Sequence, residues 1–137
     1  MEITRQAEYA LRSVLMLSRE NGMHKISTAE IALKMKIPPS FLAKIMSQLS
    51  IAGMIQTARG AHGGVMLARP AESISMLEVV EAIDGPVRLN ECTTNPEKCE
   101  FGQDCPIHVV WCMTQAELVE KLRKTHFGQL SKPKMKS

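Results

Sequence analysis

The stretch STAEIALKMKIPPSFLAKIMSQLSIAGMIQTARGAHGGVMLA, residues 27–68, decides the fold. Ser27 and Glu30 have the spacing of a capping box, in which each side chain satisfies a free backbone N–H at a helix start. A short helix follows, and a turn at Lys36 separates it from a second helix. That helix begins at Pro38-Pro39, because the missing N–H of proline costs nothing at a helix start. Two short helices joined by a tight turn predict a helix-turn-helix.

The second half of the same stretch predicts a β-hairpin. Residues 54–58 and 65–68 have the composition of short strands, and RGAHGG, residues 59–64, is a glycine-rich turn between them. A hairpin that directly follows the second helix of a helix-turn-helix is a wing. The predicted fold class is therefore mainly α with a small β-hairpin, a winged helix-turn-helix.

The flanking sequence extends the winged helix-turn-helix on both sides, and the whole unit is called the head below. Apolar positions recur at helical spacing over residues 7–18, which predicts a first amphipathic helix. Ser75 and Glu78 form a second capping box, so another helix follows the wing. We therefore assign residues 1–85 to a winged helix-turn-helix DNA-binding domain.

The C-terminal third of the chain divides into three segments. Residues 86–104 lack periodicity and contain cysteines, which favours a functional loop over a disordered one. Pro106 opens a long helix, and we predict a dimerisation helix over residues 105–130. Its apolar stripe, interpreted as a dimer seam, consists of Ile107, Trp111, Leu118 and Leu122. The basic residues 131–137 are expected to form a disordered tail.

The charges are distributed unevenly along the chain, although the net charge is only +3. Residues 1–70 hold nine lysines and arginines against four acids, and residues 111–137 hold six against two. The cysteine-bearing residues 71–110 hold two basic residues against eight acids. The basic N-terminal part indicates a polyanion as partner.

Double-stranded DNA is the polyanion that a basic winged head favours. The helix after Pro39 leaves small and hydrogen-bonding side chains on its outer face, and the wing turn supplies an arginine that can reach a phosphate or the minor groove. The predicted DNA contacts are Ser40, Lys44 and Ser47 on the helix, and Arg59, His62 and Gly63 on the wing. Each of these residues alone is also compatible with an ordinary solvated surface, and some winged helices bind proteins. The combination favours DNA.

Several classes of protein are excluded or disfavoured. The first five residues carry charge, and no apolar run approaches the length of a membrane span, so we expect a cytoplasmic protein without a membrane partner. Thiols stay reduced in that compartment, and the four cysteines are therefore metal ligands or redox groups before they are disulfides. No nucleophile–base pair, phosphate loop or metal-hydrolase motif is present, so we do not expect an enzyme.

Three cysteines and a histidine fall in the stretch CTTNPEKCEFGQDCPIH, residues 92–108. With Pro106 at the first helical position, Cys105 is the N-cap residue, where the helix dipole favours a thiolate. His108 lies three residues further on and can face the same way as Cys105. The spacing differs from that of ferredoxins and of thioredoxin-like enzymes. These residue types suit an iron–sulfur cluster and a tetrahedral zinc ion alike, and spacing alone leaves both open.

Three segments carry a resemblance to a known family. MEITRQAEYALRSVLMLS (residues 1–18), LSIAGMIQTARGAHGGVMLARP (49–70) and ISMLEVVEAIDG (74–85) resemble the signature segments of the winged-helix iron–sulfur regulators that include IscR and NsrR. The similarity runs from residue 1 to about residue 130. The wing turn and the cysteine loop are its specific motifs.

The resemblance implies a homodimeric transcription factor that binds palindromic operators and carries an iron–sulfur cluster before the dimerisation helix. Cys92, Cys99, Cys105 and His108 match the ligands of an IscR-type [2Fe-2S] cluster. In related regulators a carboxylate of the partner subunit completes a [4Fe-4S] cluster, and Glu8 lies near that position. Cys112 is not required by the pattern, and it is either a buried small residue or an alternative fourth ligand.

Two hypotheses follow for the function. In the first, the dimer regulates transcription, as a repressor for example, and senses iron–sulfur, redox or nitric-oxide status through a cluster bound by the Cys-x6-Cys-x5-Cys-x2-His loop. In the second, a Zn²⁺ ion stabilises a winged-helix DNA-binding or interaction module that senses nothing. Removal of a structural zinc ion would unfold such a module, whereas loss of a sensory cluster would leave the head folded.

Overall fold

The computed structural model describes residues 2–20, 24–58 and 63–132. Within these ranges the chain forms seven α-helices and a two-stranded antiparallel sheet, and none of these helices is long and apolar enough to cross a bilayer. The elements in chain order are α1 Arg5–Arg19, α2 Thr28–Met35, α3 Pro39–Ile51, β1 Ile55–Ala58, β2 Gly64–Leu67, α4 Met76–Asp84, α5 Glu91–Thr94, α6 Pro106–Lys124 and α7 Phe127–Leu130. The predicted fold class, mainly α with a small β-hairpin, is confirmed.

The helix-turn-helix forms where the capping signals place it. The Ser27 side chain accepts a hydrogen bond from the backbone N–H of Glu30 at 3.1 Å, which caps α2. Lys36 adopts a left-handed conformation with φ of 56° and ends α2. Pro39 then opens α3. The two helices pack on each other and on α1, and together they enclose the main core.

The wing is held to the helix-turn-helix by its return strand. β1 and β2 pair in the register Ile55↔Leu67 to Ala58↔Gly64. Ile26, just before α2, exchanges two backbone hydrogen bonds of 2.8 Å with Val65 on β2. A Cβ atom on Gly64 would lie 3.0 Å from the carbonyl oxygen of Ile26, so glycine permits this close approach.

The C-terminal part of α6 packs on the head. Leu118 and Leu122 contact a small apolar cluster that includes Leu77 and Val80 of α4. The C-terminal half of the stripe that we interpret as a dimer seam is therefore partly covered within the chain, and the seam itself stays a prediction. Periodicity shows that a helix has an apolar face, but it does not show which neighbour covers that face.

The chain returns to the head immediately after α6. The helix ends at Lys124, short of the expected limit at residue 130, and the chain bends into α7. The backbone N–H of Met76 donates to the carbonyl of Thr125 at 2.9 Å, and Ser75 forms a bridge with His126. Phe127 is only 1% exposed and belongs to the main core. His126 is half-buried at this junction.

A close backbone approach accompanies this return. A Cβ atom on Gly128 would lie 2.7 Å from Cγ and 3.0 Å from Cα of Glu72, too near for any larger residue without a shift. Gly128 is itself buried. The small residue thus lets α7 pack directly against the 3₁₀ turn Ala71–Ser73.

Candidate nucleic-acid interface and cysteine site

The outer face of α3 is accessible and mostly polar, although Ile51 at its C-terminal end is also exposed. Its inner face consists of four buried residues, Leu42, Ile45, Met46 and Leu49, as the sequence predicts. The opposite face leaves Ser40, Lys44 and Ser47 exposed. Gln48 is half-buried, because it lies between the two faces. The three exposed side chains share one face of α3.

Only part of the wing lies within the residues that the structure describes. Gly63 is half-buried just before β2. The predicted DNA contacts Arg59 and His62 lie outside the residues that the structure describes. A groove of about 270 Å³ separates the first residues of α2 from the wing, and it is lined by Ser27, Thr28, Thr57, Ala58, Gly63, Gly64 and Val65.

The cysteine segment is more regular than its lack of periodicity predicts. Residues 86–104 contain the short helix α5 and two 3₁₀ turns, Pro96–Lys98 and Gly102–Asp104. Single-turn elements are too short to leave a periodic pattern in the sequence. They fold the segment against the beginning of α6.

Each predicted thiol ligand is half-buried. Cys92 lies on α5 and donates to Oδ1 of Asn90 at 3.1 Å. Cys99 follows the first of the two 3₁₀ turns. Cys105 is the N-cap residue of α6, as predicted, with an extended backbone before Pro106.

The other thiols act electrostatically on Cys92. Partial burial raises the pKa of the Cys92 thiol above its ordinary value. The negative charges of the other three thiolates raise this pKa further, Cys99 most, then Cys112 and then Cys105. A positively charged metal centre in their midst would reverse this effect and favour the thiolates.

His108 and Cys112 are two potential ligands in direct contact. Both lie on α6, four residues apart, and the Cys112 Sγ is 3.4 Å from Nε2 of His108 and 3.9 Å from its Nδ1. Sequence reasoning treated Cys112 chiefly as a small apolar residue. Its spacing of four residues from a histidine on a predicted helix was the signal for this contact.

The four predicted ligands do not converge on a single point in this conformation. Among residues 2–20, 24–58 and 63–132, no group of three or more histidine, cysteine, aspartate or glutamate side chains is close enough to hold a metal ion. Glu8, the alternative carboxylate ligand, is exposed in the first turn of α1. The donor types fit an iron–sulfur cluster, and ligation of one needs the loop to close around it.

A strongly apolar surface adjoins the cysteine segment. Ile107 is 65% exposed and Trp111 is 40% exposed, both on the N-terminal half of α6. Val109, Val110 and Met113 of the same helix and Phe101 of the preceding loop are also exposed. Contiguous apolar residues of this kind mark interaction surfaces on soluble proteins.

Comparison with known proteins gives a consistent result. Residues 3–133 match the Rrf2 family model, described as an iron-dependent transcriptional regulator. Protein aau3 of Rhizobium meliloti strain 1021 is 37% identical over 108 residues, which span 78% of this chain and 66% of that protein. The regulator IscR of Vibrio campbellii is 27% identical over 132 residues, which cover 96% of this chain and 78% of IscR.

Solved structures with a similar fold are also transcriptional regulators. A putative transcriptional regulator from Listeria innocua superposes with a TM-score of 0.83 at 26% identity, over 100% of this chain and 90% of that one. The similarity thus covers the helix-turn-helix, the wing, the cysteine segment and α6 together.

Proposed function

The chain belongs to the Rrf2 family of transcriptional regulators, and on this premise we propose that it binds a palindromic operator as a homodimer and reports the state of an iron–sulfur cluster. As a member of this family it is a DNA-binding regulator and not an enzyme. The proposal concerns the dimer, the cluster, its ligands and the DNA contacts.

The DNA contacts come from α3 and the wing. Ser40 and Ser47 offer hydroxyl groups to base edges or phosphates, and Lys44 offers a charge to the backbone. Arg59, His62 and Gly63 of the wing would follow the adjacent groove. The inner residues of α3 are fully packed, so the outer face is presented on a rigid helix.

The cluster ligands are Cys92, Cys99, Cys105 and His108. Three half-buried thiols and one imidazole are the soft donors that a [2Fe-2S] cluster takes, and imidazole ligation raises its reduction potential. Such a cluster supplies an oxidisable and nitrosylatable group. The loop residues determine which group binds, because they must fold around it. This folding fixes the conformation of the segment before α6.

The dimer would form through the exposed apolar half of α6. A two-fold interface uses the same patch on both subunits, which suits one helix packed against its own copy. The apolar side chains there, Ile107 and Trp111 among them, gain little from contact within the chain. A two-fold dimer matches a palindromic operator, whose half-sites repeat at about one helical turn.

The observation that carries this proposal is the continuity of α6. Its first residue follows Cys105, its N-terminal half bears the exposed apolar face, and its far end leads into Phe127 in the core of the head. A change in the cysteine segment therefore acts on a helix that is joined directly to the DNA-binding domain.

The test is spectroscopic. Anaerobically purified protein should be coloured, with a Mössbauer spectrum of one cluster per chain, and Cys99→Ala should remove both signals. Operator affinity should differ between the cluster-bound and cluster-free protein. A colourless protein that carries one zinc ion per chain, and that unfolds when the ion is chelated, would instead establish the zinc-stabilised module.

The dimer is tested separately. Val110→Glu places a charge in the centre of the exposed apolar face, and sedimentation should then show monomers at concentrations where the wild type is dimeric. Leu130→Glu, an exposed position on α7, is the matched control and should leave the dimer intact.

A further inference from the structure

The groove between the start of α2 and the wing has a lining that is polar but uncharged. Its volume is about 270 Å³, and among the described residues that line it none is acidic. Thr28 of α2 lines one side, and Thr57 of β1 lines the other. Both threonines are exposed, so a ligand that enters the groove can meet a hydroxyl group from each side.

The hydroxyl groups of Thr28 and Thr57 are available to such a ligand. Four other threonines use theirs for hydrogen bonds within the chain, namely Thr4, Thr93, Thr114 and Thr125. In the part of the chain that the structure describes, Thr28 and Thr57 have no such partner. The cap of α2 does not need Thr28, because the Ser27 side chain already accepts from the Glu30 N–H.

The groove is held in shape by the backbone. Ile26, directly before Ser27, exchanges two hydrogen bonds of 2.8 Å with Val65, which lines the groove. The start of α2 and the return strand cannot separate without losing these bonds. The two threonines are therefore presented on a fixed frame, and a preorganised site loses less entropy when it binds a ligand.

Lys25 supplies positive charge beside the groove. A Cβ atom on Gly64 would lie 3.2 Å from Cβ of Lys25, so the base of the lysine side chain lies against the groove wall. Lys25 is exposed and forms no salt bridge with any other described residue. Hydroxyl donors and a lysine, without an acidic neighbour in the lining, favour an anion.

DNA is the anion that a regulator of this family binds. Phosphate oxygens accept about half or more of all hydrogen bonds between proteins and DNA, and threonine and lysine are common donors. We propose that the groove binds one phosphodiester group of the DNA backbone, with Thr28 and Thr57 as donors from its two sides and Lys25 as the neighbouring charge.

One phosphate would then connect the helix-turn-helix to the wing. It would position both elements on the duplex without reading sequence, because phosphates are the same at every base pair. These contacts add to those proposed for α3 and for the wing turn. They require DNA binding by the chain, but neither the cluster nor the dimer.

A fluorescein-labelled DNA duplex of mixed sequence is the probe, since backbone contacts act on every sequence. Thr28→Val and Thr57→Val keep the side-chain shape and remove the hydroxyl group, and each should weaken binding by the full-length protein about fivefold in fluorescence anisotropy. The slope of log affinity against log salt should not change in these variants. Lys25→Gln should reduce that slope by about 1.

Gln56→Ala is the matched control for the threonine variants. Gln56 is exposed and adjoins Thr57 on β1, but it is not part of the groove lining. Successive side chains of a strand point to opposite faces, so this change should leave affinity unchanged. Urea unfolding should give wild-type midpoints for both threonine variants, and a lowered midpoint with weakened binding would overturn the proposal in favour of a structural role.

The double variant tests whether both hydroxyl groups bind the same phosphate. Its loss of affinity should be smaller than the product of the two single losses, because groups that share a partner are not additive. Losses that multiply would place the hydroxyl groups on separate phosphates and overturn the shared site. Wild-type affinity in both single variants would overturn it outright.

Lys44→Ala, measured on the same duplex, separates this inference from the contacts proposed for α3. If Lys44→Ala weakens binding and the threonine variants do not, the groove is wrong and the α3 contact stands. If the threonine variants weaken binding and Lys44→Ala does not, the groove stands and Lys44 is removed from the interface.

Discussion

The backbone N–H of Phe127 donates to the carbonyl of Ile74 at 3.0 Å, and this contact ties the segment after α6 to the segment before α4. The Phe127 ring is buried in the same core that supports α3 and the wing. The C-terminal end of α6 is thus fixed to the head, while its N-terminal half projects an apolar face.

Removal of the Phe127 ring should destabilise the whole head. Phe127→Ala leaves a cavity in the main core, which costs about 3–5 kcal/mol of unfolding free energy. Leu130→Ala, at a 39% exposed position on the same short helix, should cost much less. Urea unfolding followed by circular dichroism measures both. Equal losses would contradict the anchoring role of Phe127.

The two serine caps should differ in strength. Each serine accepts a hydrogen bond of 3.1 Å from a backbone N–H, but Ser75 is 3% exposed and its helix has the complete capping box with Glu78. Ser75→Ala should cost about 1–2 kcal/mol, since a buried donor loses its partner.

Ser27 is the matched control for this comparison, because its cap is exposed and water replaces the lost hydrogen bond. Ser27→Ala should cost about 0.5–1 kcal/mol. Thermal and urea unfolding of the two variants decide the order. A larger loss for Ser27→Ala would show that burial does not set the strength of these caps.

Lys44 should contribute a phosphate contact to operator binding. Lys44→Ala should weaken binding to all sequences about equally and reduce the slope of log affinity against log salt by about 1. Lys132→Ala removes the same charge from an exposed position at the other end of the chain. Fluorescence anisotropy over a salt series measures both slopes. An unchanged slope in Lys44→Ala would remove this residue from the interface.

Glu120 should titrate below its ordinary value of 4.5. Hydrogen bonds from Arg123 and Lys124 lower the pKa of this carboxyl group on α6. The carboxylate therefore favours the folded state above pH 4.5, and this contribution is lost as the pH falls through the lower folded pKa. The side chains are exposed, so the effect on stability should be small and reduced by salt.

NMR titration of the Glu120 carboxyl carbon measures this shift. Arg123→Ala should move the pKa back toward 4.5. Lys121→Ala removes a positive charge from the same helix. Among the described residues Lys121 forms no salt bridge with Glu120, so this change should shift the titration less. Equal effects of the two variants would show that the positive charge of the helix as a whole lowers the pKa of Glu120, and not the hydrogen bond from Arg123 in particular.

The head could be predicted from sequence because its signals are local. Ser27 caps α2, Pro39 opens α3 and β1 pairs with the strand that follows it, and each signal acts within a few residues of itself. The inner residues of α3 follow from helical periodicity alone. The exposed positions Ser40, Lys44 and Ser47 follow with them.

The C-terminal third could not be predicted to the same degree, because its contacts are distant in sequence. Nothing near Phe127 indicates that its partner is Ile74, and the four residues of α7 are too few for a periodic pattern. The packing of Leu118 likewise depends on α4. The ligand types of the cysteine segment could be predicted from the sequence, but the contact between His108 and Cys112 could be seen only in the structure.

The insertion of Phe127 has a consequence for how the chain is made. Synthesis proceeds from the N-terminus, and domains generally fold as the chain emerges. The head cannot complete its core when its own residues have emerged, because α7 fills that core and also contacts α1. The nascent DNA-binding domain therefore retains an unfilled position in its apolar core until α7 has also emerged. A chain cut before α7 would lack Phe127 and would leave apolar core residues exposed to chaperones and proteases.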